Sequence, residues 1–305
     1  MCYFFSCIVM KNKRVIWEPG VNGHHILVER HKILDNTHDP AKITFARVEI
    51  LPTTENYVFE RDLAKWNFSI DEDIRPEWFS PAHQEAAMVA LSDCLSQCVI
   101  DGGEFEKVEG KSGLYLRNTT IKVFGNSTVQ EMFGSSTVQK MFDNSTVQEM
   151  FGNSTVQEMS GSSTVQKMFD NSTVQKMFGN STVQEMSGSS TVQKMFGNST
   201  VQEMFDNSTV QEMFGSSTVQ KMFDNSTVQK MFGNSTVQEM SGNSTVQEMS
   251  GNSTVQEMFD NSTVQKMFGS STVHVYSPLA TFKINSELAV AVSRVDGKLE
   301  IHTKK

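Results

Sequence analysis

The chain has 305 residues, of which 38% are hydrophobic and 20% are charged, and its formal net charge is -9. This acidic balance argues against nucleic acid as the main partner, because binding to a phosphate backbone requires a basic face. No apolar run approaches the roughly 18 to 20 residues that a membrane helix needs, so no membrane association is predicted.

The first ten residues, MCYFFSCIVM, are apolar, and the cations of KNKR follow them. A secretory signal has its cations first and a small-residue cleavage site, so no signal peptide is predicted. We expect translation to begin at Met10, since MKNKRVIWEPG reads as an ordinary N-terminus. The four cysteines, Cys2, Cys7, Cys94 and Cys98, do not form a disulfide framework for a chain of this length, and they indicate a reducing, cytoplasmic compartment.

Residues 1–113 are predicted to form a small α+β domain. The segments RVIWEP, HHILVER and ITFARVEIL are short β-type runs, and the third is expected to be buried on both faces. A helix is predicted over SPAHQEAAMVALSDCLSQCVI, with Ser80 as its N-cap and Pro81 at its first position. The Asp-Gly-Gly at 101–103 is expected to end this helix.

Residues 114–273 contain an array of nine-residue repeats, one copy of which is FGNSTVQEM. Threonine recurs every nine residues from Thr128 to Thr272, which gives about 17 copies. Serine, threonine, valine, glutamine and methionine hardly vary between copies. The residue after glutamine is Glu or Lys, the residue after methionine is Phe or Ser, and a Gly-Asn, Gly-Ser or Asp-Asn pair follows.

These preferences predict the environment of each position. A site that accepts Glu or Lys points to water, and one that accepts Phe or Ser lies on a half-exposed rim, because a core site would feel the lost volume. The Gly-Asn pair is turn chemistry that tolerates positive φ. The invariant apolar residues, represented by Val129, Met132, Val138 and Met141, are the predicted core.

The array is predicted to be a β-solenoid with about two nonapeptides in each coil. One nonapeptide cannot bury its own valine and methionine, whereas stacked copies bury them against their neighbours. Val129 and Met132 are three residues apart, so either a bend separates them in a strand or the block is a short helix. Intrinsic disorder is the main alternative to a solenoid, but the regular apolar residues favour burial.

Residues 274–305 depart from the repeat and are predicted to be a short C-terminal β cap. The segment LAVAVSRVDGKLEIHTKK is typical of two strands joined by a turn at Asp296-Gly297. Terminal units of a solenoid are atypical because they cover an open end. The predicted fold is therefore mainly β, with a small α+β domain before the solenoid and a β cap after it.

The nine-residue period resembles that of the calcium-binding RTX β-roll, which also places two nonapeptides in a coil. The RTX block needs an aspartate in a glycine-rich loop to hold calcium, and most copies here have none, so no calcium is expected. The motif WNFSIDEDIRPEWF at 66–79 followed by the array is similar to nonapeptide-repeat proteins of gut bacteria and their phages. That resemblance implies a cytoplasmic or phage-associated protein and brings no activity with it.

Two outward ladders are the candidate surface, a threonine ladder and a glutamine ladder. They are represented by Thr128, Thr137, Thr146 and Thr155 and by Gln130, Gln139, Gln148 and Gln157. Regular threonine rows occur on ice-binding solenoids, but those usually have two matched threonine columns, and glutamine is strongly hydrated. A protein or glycan partner is the other interpretation, and a simple rod or spacer is the third.

The N-terminal region contains weaker candidates. Asp71, Glu72, Asp73 and Glu77 lie near Trp66, Trp78 and Phe79, and carboxylates beside aromatic rings can bind sugars or act in acid/base chemistry. An exposed acidic loop with anchoring aromatic residues explains the same pattern. Cys94, Cys98 and His83 share the predicted helix, and His24, His25, His31 and His38 are scattered, so core packing or surface roles are expected. No catalytic, cofactor-binding or metal-binding residue is assigned.

The sequence thus predicts a non-enzymatic structural or interaction protein that presents ladders of Thr, Gln and Glu/Lys. A solenoid surface that binds a glycan or ice is one alternative, and an enzyme in the N-terminal domain is another. No cofactor is expected, and the partner is an unknown protein or glycan. Self-association through the ends of the solenoid is a further expectation, because near-identical strands pair readily when an end is uncovered.

Overall fold

A computed structural model describes residues 5–34, 42–55, 57–71 and 75–304. The chain divides into two compact units. The N-terminal unit comprises Met1–Asp101 and Ser112–Tyr115, and the solenoid unit comprises Gly102–Lys111 and Leu116–Lys305. Cys2, His38, Glu72 and Asp73, which the sequence analysis considered, lie outside the described residues.

A four-stranded sheet and two helices make up most of the N-terminal unit. The strand order is β2-β1-β3-β4, with antiparallel pairing throughout. The elements are β1 (Phe5–Met10), β2 (Val15–Ile16), α1 (His24–Arg30), β3 (Phe45–Pro52), β4 (Trp66–Ile70), α2 (Pro81–Cys98) and β5 (Val99–Asp101), with 3-10 turns at Tyr57–Phe59 and Leu63–Lys65. The predicted strand in ITFARVEIL is β3, whose Phe45 and Ala46 are both fully buried.

The segment HHILVER was predicted to be a β-type run, and this was wrong, because it forms helix α1. Leu27 is fully buried and clusters with Ile8, Ile16 and Phe45, while Val28 packs against the same cluster. A helix brings residues three and four apart to one face, and here that face covers the sheet. Tertiary burial therefore overrides the local strand preference of Ile26 and Val28.

Helix α2 begins where the sequence predicts, with Pro81 at its first position and Ser80 as N-cap. The Ser80 backbone N–H donates to Nδ1 of His83 over 3.2 Å, and the Ser80 Oγ lies 2.9 Å from the same nitrogen. The helix ends at Cys98, earlier than the predicted stop at the Asp-Gly-Gly. Strand β5 occupies the intervening residues Val99–Asp101.

Strand β1 consists almost entirely of residues that precede the predicted start at Met10. Its residues Cys7, Ile8 and Val9 are fully buried, and it pairs along its whole length with β3. A chain that began at Met10 would lack this inner strand of the sheet. The start at Met10 stays a prediction.

The solenoid unit consists mostly of short strands. Those before the array are β6 (Val108–Glu109), β7 (Leu114–Arg117) and β8 (Thr120–Phe124). Those of the array are β9 (Thr128–Phe133), β10 (Thr137–Met141), β11 (Thr146–Met150), β12 (Thr155–Met159), β13 (Thr164–Met168), β14 (Thr173–Met177), β15 (Thr182–Met186), β16 (Thr191–Met195), β17 (Thr200–Met204), β18 (Thr209–Met213), β19 (Thr218–Met222), β20 (Thr227–Met231), β21 (Thr236–Met240), β22 (Thr245–Met249), β23 (Thr254–Met258), β24 (Thr263–Met267) and β25 (Thr272–Val275). Those after it are β26 (Thr281–Ile284), β27 (Val290–Val295) and β28 (Lys298–Thr303).

Alternate strands form two parallel sheets. The even sheet contains the even-numbered strands from β6 to β26, 11 in all, and the odd sheet contains the odd-numbered strands from β7 to β27 followed by β28. Thr128 pairs with Thr146, and Thr137 pairs with Thr155, so each coil uses two nonapeptides. The structure is therefore the predicted β-solenoid, with about 11 coils because strands on both sides of the array join it.

The interior of the solenoid contains three residues from each copy. Every valine of the array from Val129 to Val273 and every methionine from Met132 to Met267 is fully buried. In each pair of neighbouring strands, Thr, Val, the charged residue and Met pair with their counterparts, and the glutamine is not among the paired residues. This irregularity lets Val129 and Met132 both face inward, so the bend is present and the helical alternative is wrong.

The third buried residue is the serine, which the sequence analysis did not assign to the core. The serine directly before each repeat threonine, at every ninth position from Ser127 to Ser271, is fully buried. In the first copies its Oγ donates to the carbonyl of the residue three before it, as Ser127 does to Phe124 over 2.7 Å. From Ser154 to Ser271 the same Oγ atom is buried with no hydrogen-bond partner among the described residues. The invariance of this serine between copies was the signal that could have revealed its burial.

The coil pattern extends beyond the array. Thr263 pairs with Thr281 in the even sheet, and Thr272 pairs with Val290 in the odd sheet. Strand β28 then returns antiparallel to β27 through Asp296 and Gly297, whose φ values of 50° and 75° suit a tight hairpin. The predicted two strands and their turn are thus present, and they end the odd sheet.

Candidate functional site: the outward columns of the solenoid

The predicted Thr and Gln ladders are divided between the two sheets. Thr128, Thr146, Gln130 and Gln148 belong to the odd sheet, and Thr137, Thr155, Gln139 and Gln157 belong to the even sheet. All eight side chains are half-buried. Direct Thr-to-Thr pairing between successive coils makes each threonine set a continuous column.

Charged side chains form a second pair of columns beside the threonines. The odd sheet lines up mainly glutamates and the even sheet mainly lysines, as the alternating copies imply. Ion pairs connect successive coils, with Lys167 Nζ 3.3 Å from Glu185 and Lys194 Nζ 3.2 Å from Glu212. These side chains are roughly half-exposed, so each pair contributes at most about 1 kcal/mol to the free energy of unfolding.

Burial raises the pKa of Glu149, an effect opposed by the nearby Lys167. Its Oε2 atom is buried and has no hydrogen-bond partner among the described residues. Desolvation disfavours the charged form of a carboxylate. The first coils of the odd sheet therefore contain a carboxylate whose ionised form is disfavoured by burial.

Phenylalanine rings stack along the corners of the coils. The rings of Phe151 and Phe169 lie 5.1 Å apart at 10°, and those of Phe178 and Phe196 lie 5.0 Å apart at 8°. Serine interrupts each stack, as at Ser160, where the sequence exchanges Phe for Ser. The rings are half-buried, or exposed to 36% at Phe178, which agrees with the rim position that the exchange predicts.

Hydrogen bonds also connect the turns of successive coils. Asn153 N–H donates to the Gly134 carbonyl of the previous coil over 3.0 Å, so the backbone ladder continues through the bend. Where Asp replaces Gly, its carboxylate accepts from the turn of the previous coil, as Asp170 Oδ2 does from Gly152 N–H over 3.0 Å. These aspartates thus serve the backbone ladder, and no calcium was expected there.

The N-terminal aromatic residues are occupied in packing and hydrogen bonds. Trp66 is buried and its Nε1 donates to the Glu60 carbonyl over 3.2 Å, while Trp78 Nε1 donates to the Ile43 carbonyl over 2.9 Å. The Phe79 ring is buried beside the Trp78 ring. These rings are therefore part of the packing of the N-terminal unit.

His83 has a structural role at the start of α2. Its Nδ1 faces the Ser80 N–H and Oγ, and its Nε2 lies 3.1 Å from the Lys11 carbonyl, to which it donates. Both ring nitrogens are therefore occupied, which leaves neither for a metal ion.

The cysteines that the structure describes, Cys7, Cys94 and Cys98, form no disulfide bond. The pKa of Cys94 is raised by its hydrogen bond with Cys98 and by burial, and burial raises the pKa of Cys7 to about 12. Neither environment favours a reactive thiolate.

One constellation was missed by sequence reasoning. His24, Glu49 and Asp71 offer one imidazole nitrogen and two carboxylate oxygens, all within 4.8 Å of one another. His24 and Asp71 were each considered separately, but they meet only because β3 and β4 pair and α1 lies beside them. Their spacing in the sequence carries no signal of this meeting.

Comparison with protein-family models, curated proteins and solved structures found no match for this chain. Its fold defines it as a β-solenoid repeat protein with a small α+β unit. In the part of the chain that the structure describes, neither helix has the length and apolar character required to cross a bilayer.

Proposed function

We propose that this protein is a non-enzymatic structural or interaction protein whose β-solenoid presents regular columns of Thr, Gln and Glu/Lys. The observation that supports this proposal is the 18-residue register. Thr pairs with Thr, and Val with Val, from coil to coil throughout the array, so identical outward side chains recur at the strand spacing of about 4.8 Å.

The uniform core favours the role of a rod over that of a protein with a single ligand-binding pocket. Val, Met and Ser fill the interior of every array coil, and the copies differ mainly at half-exposed or exposed positions. A continuous core with variable outer charges maintains the spacing of the columns while their charge changes along the length. A partner that contacts such columns, a protein or a glycan, would bind several coils at once.

The coil number provides the test. Deletion of residues 155–208 removes three coils, and we expect it to shorten the molecule by about 14 Å, at about 4.8 Å per coil. Small-angle X-ray scattering of this variant and of the full chain measures the change in maximum dimension. An unchanged maximum dimension with loss of the β signal in circular dichroism would contradict the rod.

The same pair of chains separates a rod from a ligand surface. Sedimentation with insoluble cellulose, chitin and peptidoglycan measures glycan binding by each chain. A spacer role predicts equal binding, or equal absence of binding, for both. Binding that falls with the number of coils would replace the spacer with the glycan-binding alternative, because avidity depends on the number of sites engaged.

We further propose a cytoplasmic or phage-associated setting, and kinship with the nonapeptide-repeat proteins of gut bacteria and their phages. This setting is supported by the motif at 66–79 and by Cys7, Cys94 and Cys98, which are not joined in disulfide bonds. A second copy of the chain, joined through the ends of the solenoid, is a proposed partner alongside a protein or glycan.

A further inference from the structure

A cluster of three ligand-type side chains lies in the N-terminal unit, separate from the solenoid. His24 is the first residue of α1, Glu49 lies in the middle of β3, and Asp71 follows directly after β4. Glu49 is paired with Ser69 across the two strands, and the Asp71 N–H donates to the Arg47 carbonyl over 2.9 Å. In an antiparallel pair, residues in such diagonal positions place their side chains on the same face.

The hydrogen bonds of His24 determine which of its nitrogens faces the carboxylates. Nε2 lies 3.0 Å from the Val48 carbonyl, and because a carbonyl only accepts, Nε2 carries the proton. Nδ1 lies 3.2 Å from Asp71 Oδ2. In the neutral ring Nδ1 carries a lone pair and can only accept. Nδ1 and Asp71 Oδ2 are then two acceptors that face each other, unless a proton or a cation lies between them.

This arrangement is the one that a metal-binding histidine usually has. Such a residue donates its second ring N–H to a carbonyl or carboxylate, which orients the ring and makes the other nitrogen a better ligand. His24 is only 7% exposed, so its ring is held in place, whereas Asp71 is exposed and accessible from solvent. The site thus combines a buried imidazole, that of His24, with access from solvent for an ion beside Asp71.

We propose that His24 Nδ1, Glu49 and Asp71 bind a divalent transition-metal ion of the zinc class. Two ligands at about 2.0–2.1 Å from a tetrahedral ion lie about 3.3 Å apart, close to the observed separation of Nδ1 and Oδ2. The half-buried Glu49 carboxylate closes the third position by side-chain rotation, and water completes the coordination. Imidazole with carboxylates suits zinc, whereas calcium prefers oxygen ligands alone.

Isothermal titration of the full chain with zinc chloride, in a buffer that does not chelate zinc, tests the site. We expect one high-affinity zinc ion per chain. Glu49→Gln and Asp71→Asn each remove a charged ligand and are expected to weaken zinc binding by at least about tenfold, since even loss of an outer partner of a metal ligand costs about 10–100-fold. His25→Ala is the matched control, because His25 is the exposed neighbour of His24 and is expected to leave zinc binding unchanged.

The carboxylate variants, rather than a His24 variant, decide the outcome, because loss of the buried imidazole could unfold the unit. Far-UV circular dichroism establishes that each variant is folded. Zinc binding that is equal in the wild type, Glu49→Gln and Asp71→Asn would overturn the proposal, as would absence of zinc binding by the wild type. In the latter case a proton on Nδ1, forming an ion pair with Asp71, would account for the short contact.

Discussion

At the scale of single residues, the copies of the nonapeptide act as natural substitutions in one repeated environment. Residues that do not vary, such as Val129 and Met132, are fully buried, and the fully buried serine is equally constant. Positions that exchange Glu for Lys are mostly half-exposed or exposed. Variation inside one chain therefore reports burial, except that it does not separate the buried serine from the threonine and glutamine, which are also constant but are not buried.

The buried methionines are expected to contribute strongly to stability. Met195→Ala removes a fully buried side chain from the middle of the array and should lower the free energy of unfolding by about 2–5 kcal/mol, because the cavity cannot close completely. Urea unfolding followed by circular dichroism measures this. The control is Lys194→Ala on the same strand, which loses only a half-exposed ion pair and should cost less than about 1 kcal/mol. Equal losses for the two variants would contradict the assigned core.

The turn glycines are expected to tolerate aspartate but not valine. Gly197 has a φ of 68°, and Asp occupies the corresponding turn position at Asp206 with a φ of 56°. Gly197→Val places a β-branched side chain in the left-handed region and should cost about 1–3 kcal/mol in the free energy of unfolding. Gly197→Asp should be nearly neutral, since its carboxylate can accept the N–H of Gly179 as Asp206 accepts that of Gly188. Thermal melts of both variants test the difference, and a valine variant as stable as the aspartate variant would disprove it.

The raised pKa of Glu149 predicts a pH-dependent effect. A carboxyl group whose pKa is higher in the folded than in the unfolded state destabilises the fold once it is ionised, and this cost disappears as the pH falls below its ordinary value of 4.5. Glu149→Gln should therefore raise the urea midpoint at pH 7 and give little gain at pH 4. Glu203→Gln, which loses its contact with Lys221, is the control and should give no gain at pH 7. A Glu149→Gln gain that is the same at both pH values would contradict this account.

At the scale of secondary-structure elements, the strands predicted for the array are present, whereas the strand predicted for HHILVER is a helix. The array strands were predictable because each pairs with a copy of itself, so local preference and tertiary environment agree in every coil. Helix α1 was not, because Ile26 and Val28 favour a strand locally. The burial of Leu27 against the sheet decides its conformation.

The coil register should tolerate the addition of whole coils but not the insertion of a single residue. Duplication of residues 191–208 adds one complete coil of two nonapeptides and should leave the melting temperature unchanged or higher, because every following strand stays in its own sheet with its inward residues inward. Insertion of one alanine between Val192 and Gln193 should lower the melting temperature, because a one-residue slip turns the following side chains to the opposite face. Circular dichroism melts compare the two, and equal melting temperatures would contradict the register.

At the scale of the whole molecule, the solenoid has open strand edges that need cover. The odd sheet ends in the antiparallel strand β28, and the even sheet ends in β26. The last array strands below them are uniform, and unprotected uniform strands pair readily with other chains. We therefore expect the C-terminal strands to act as a cap in addition to extending the coils.

Removal of this cap is expected to cause self-association. A chain that lacks residues 274–305 loses β26, β27, β28 and the last two residues of β25, and it exposes the edges of β24 and of the shortened β25. Light scattering coupled to gel filtration should show a mass that rises with protein concentration, with the full chain as control. A truncated chain that stays monomeric at all concentrations would refute the capping role.

The sequence alone determined the β-solenoid, its two-nonapeptide coil and its core of Val and Met. This was possible because a repeat of nine residues compares each position with itself many times, and stacking is the arrangement that buries all copies alike. Only the tertiary structure decided that HHILVER is a helix and that His24 meets Glu49 and Asp71. Those features depend on contacts between residues far apart in a segment without repeats, where no local pattern records which strands pair or what lies beside them.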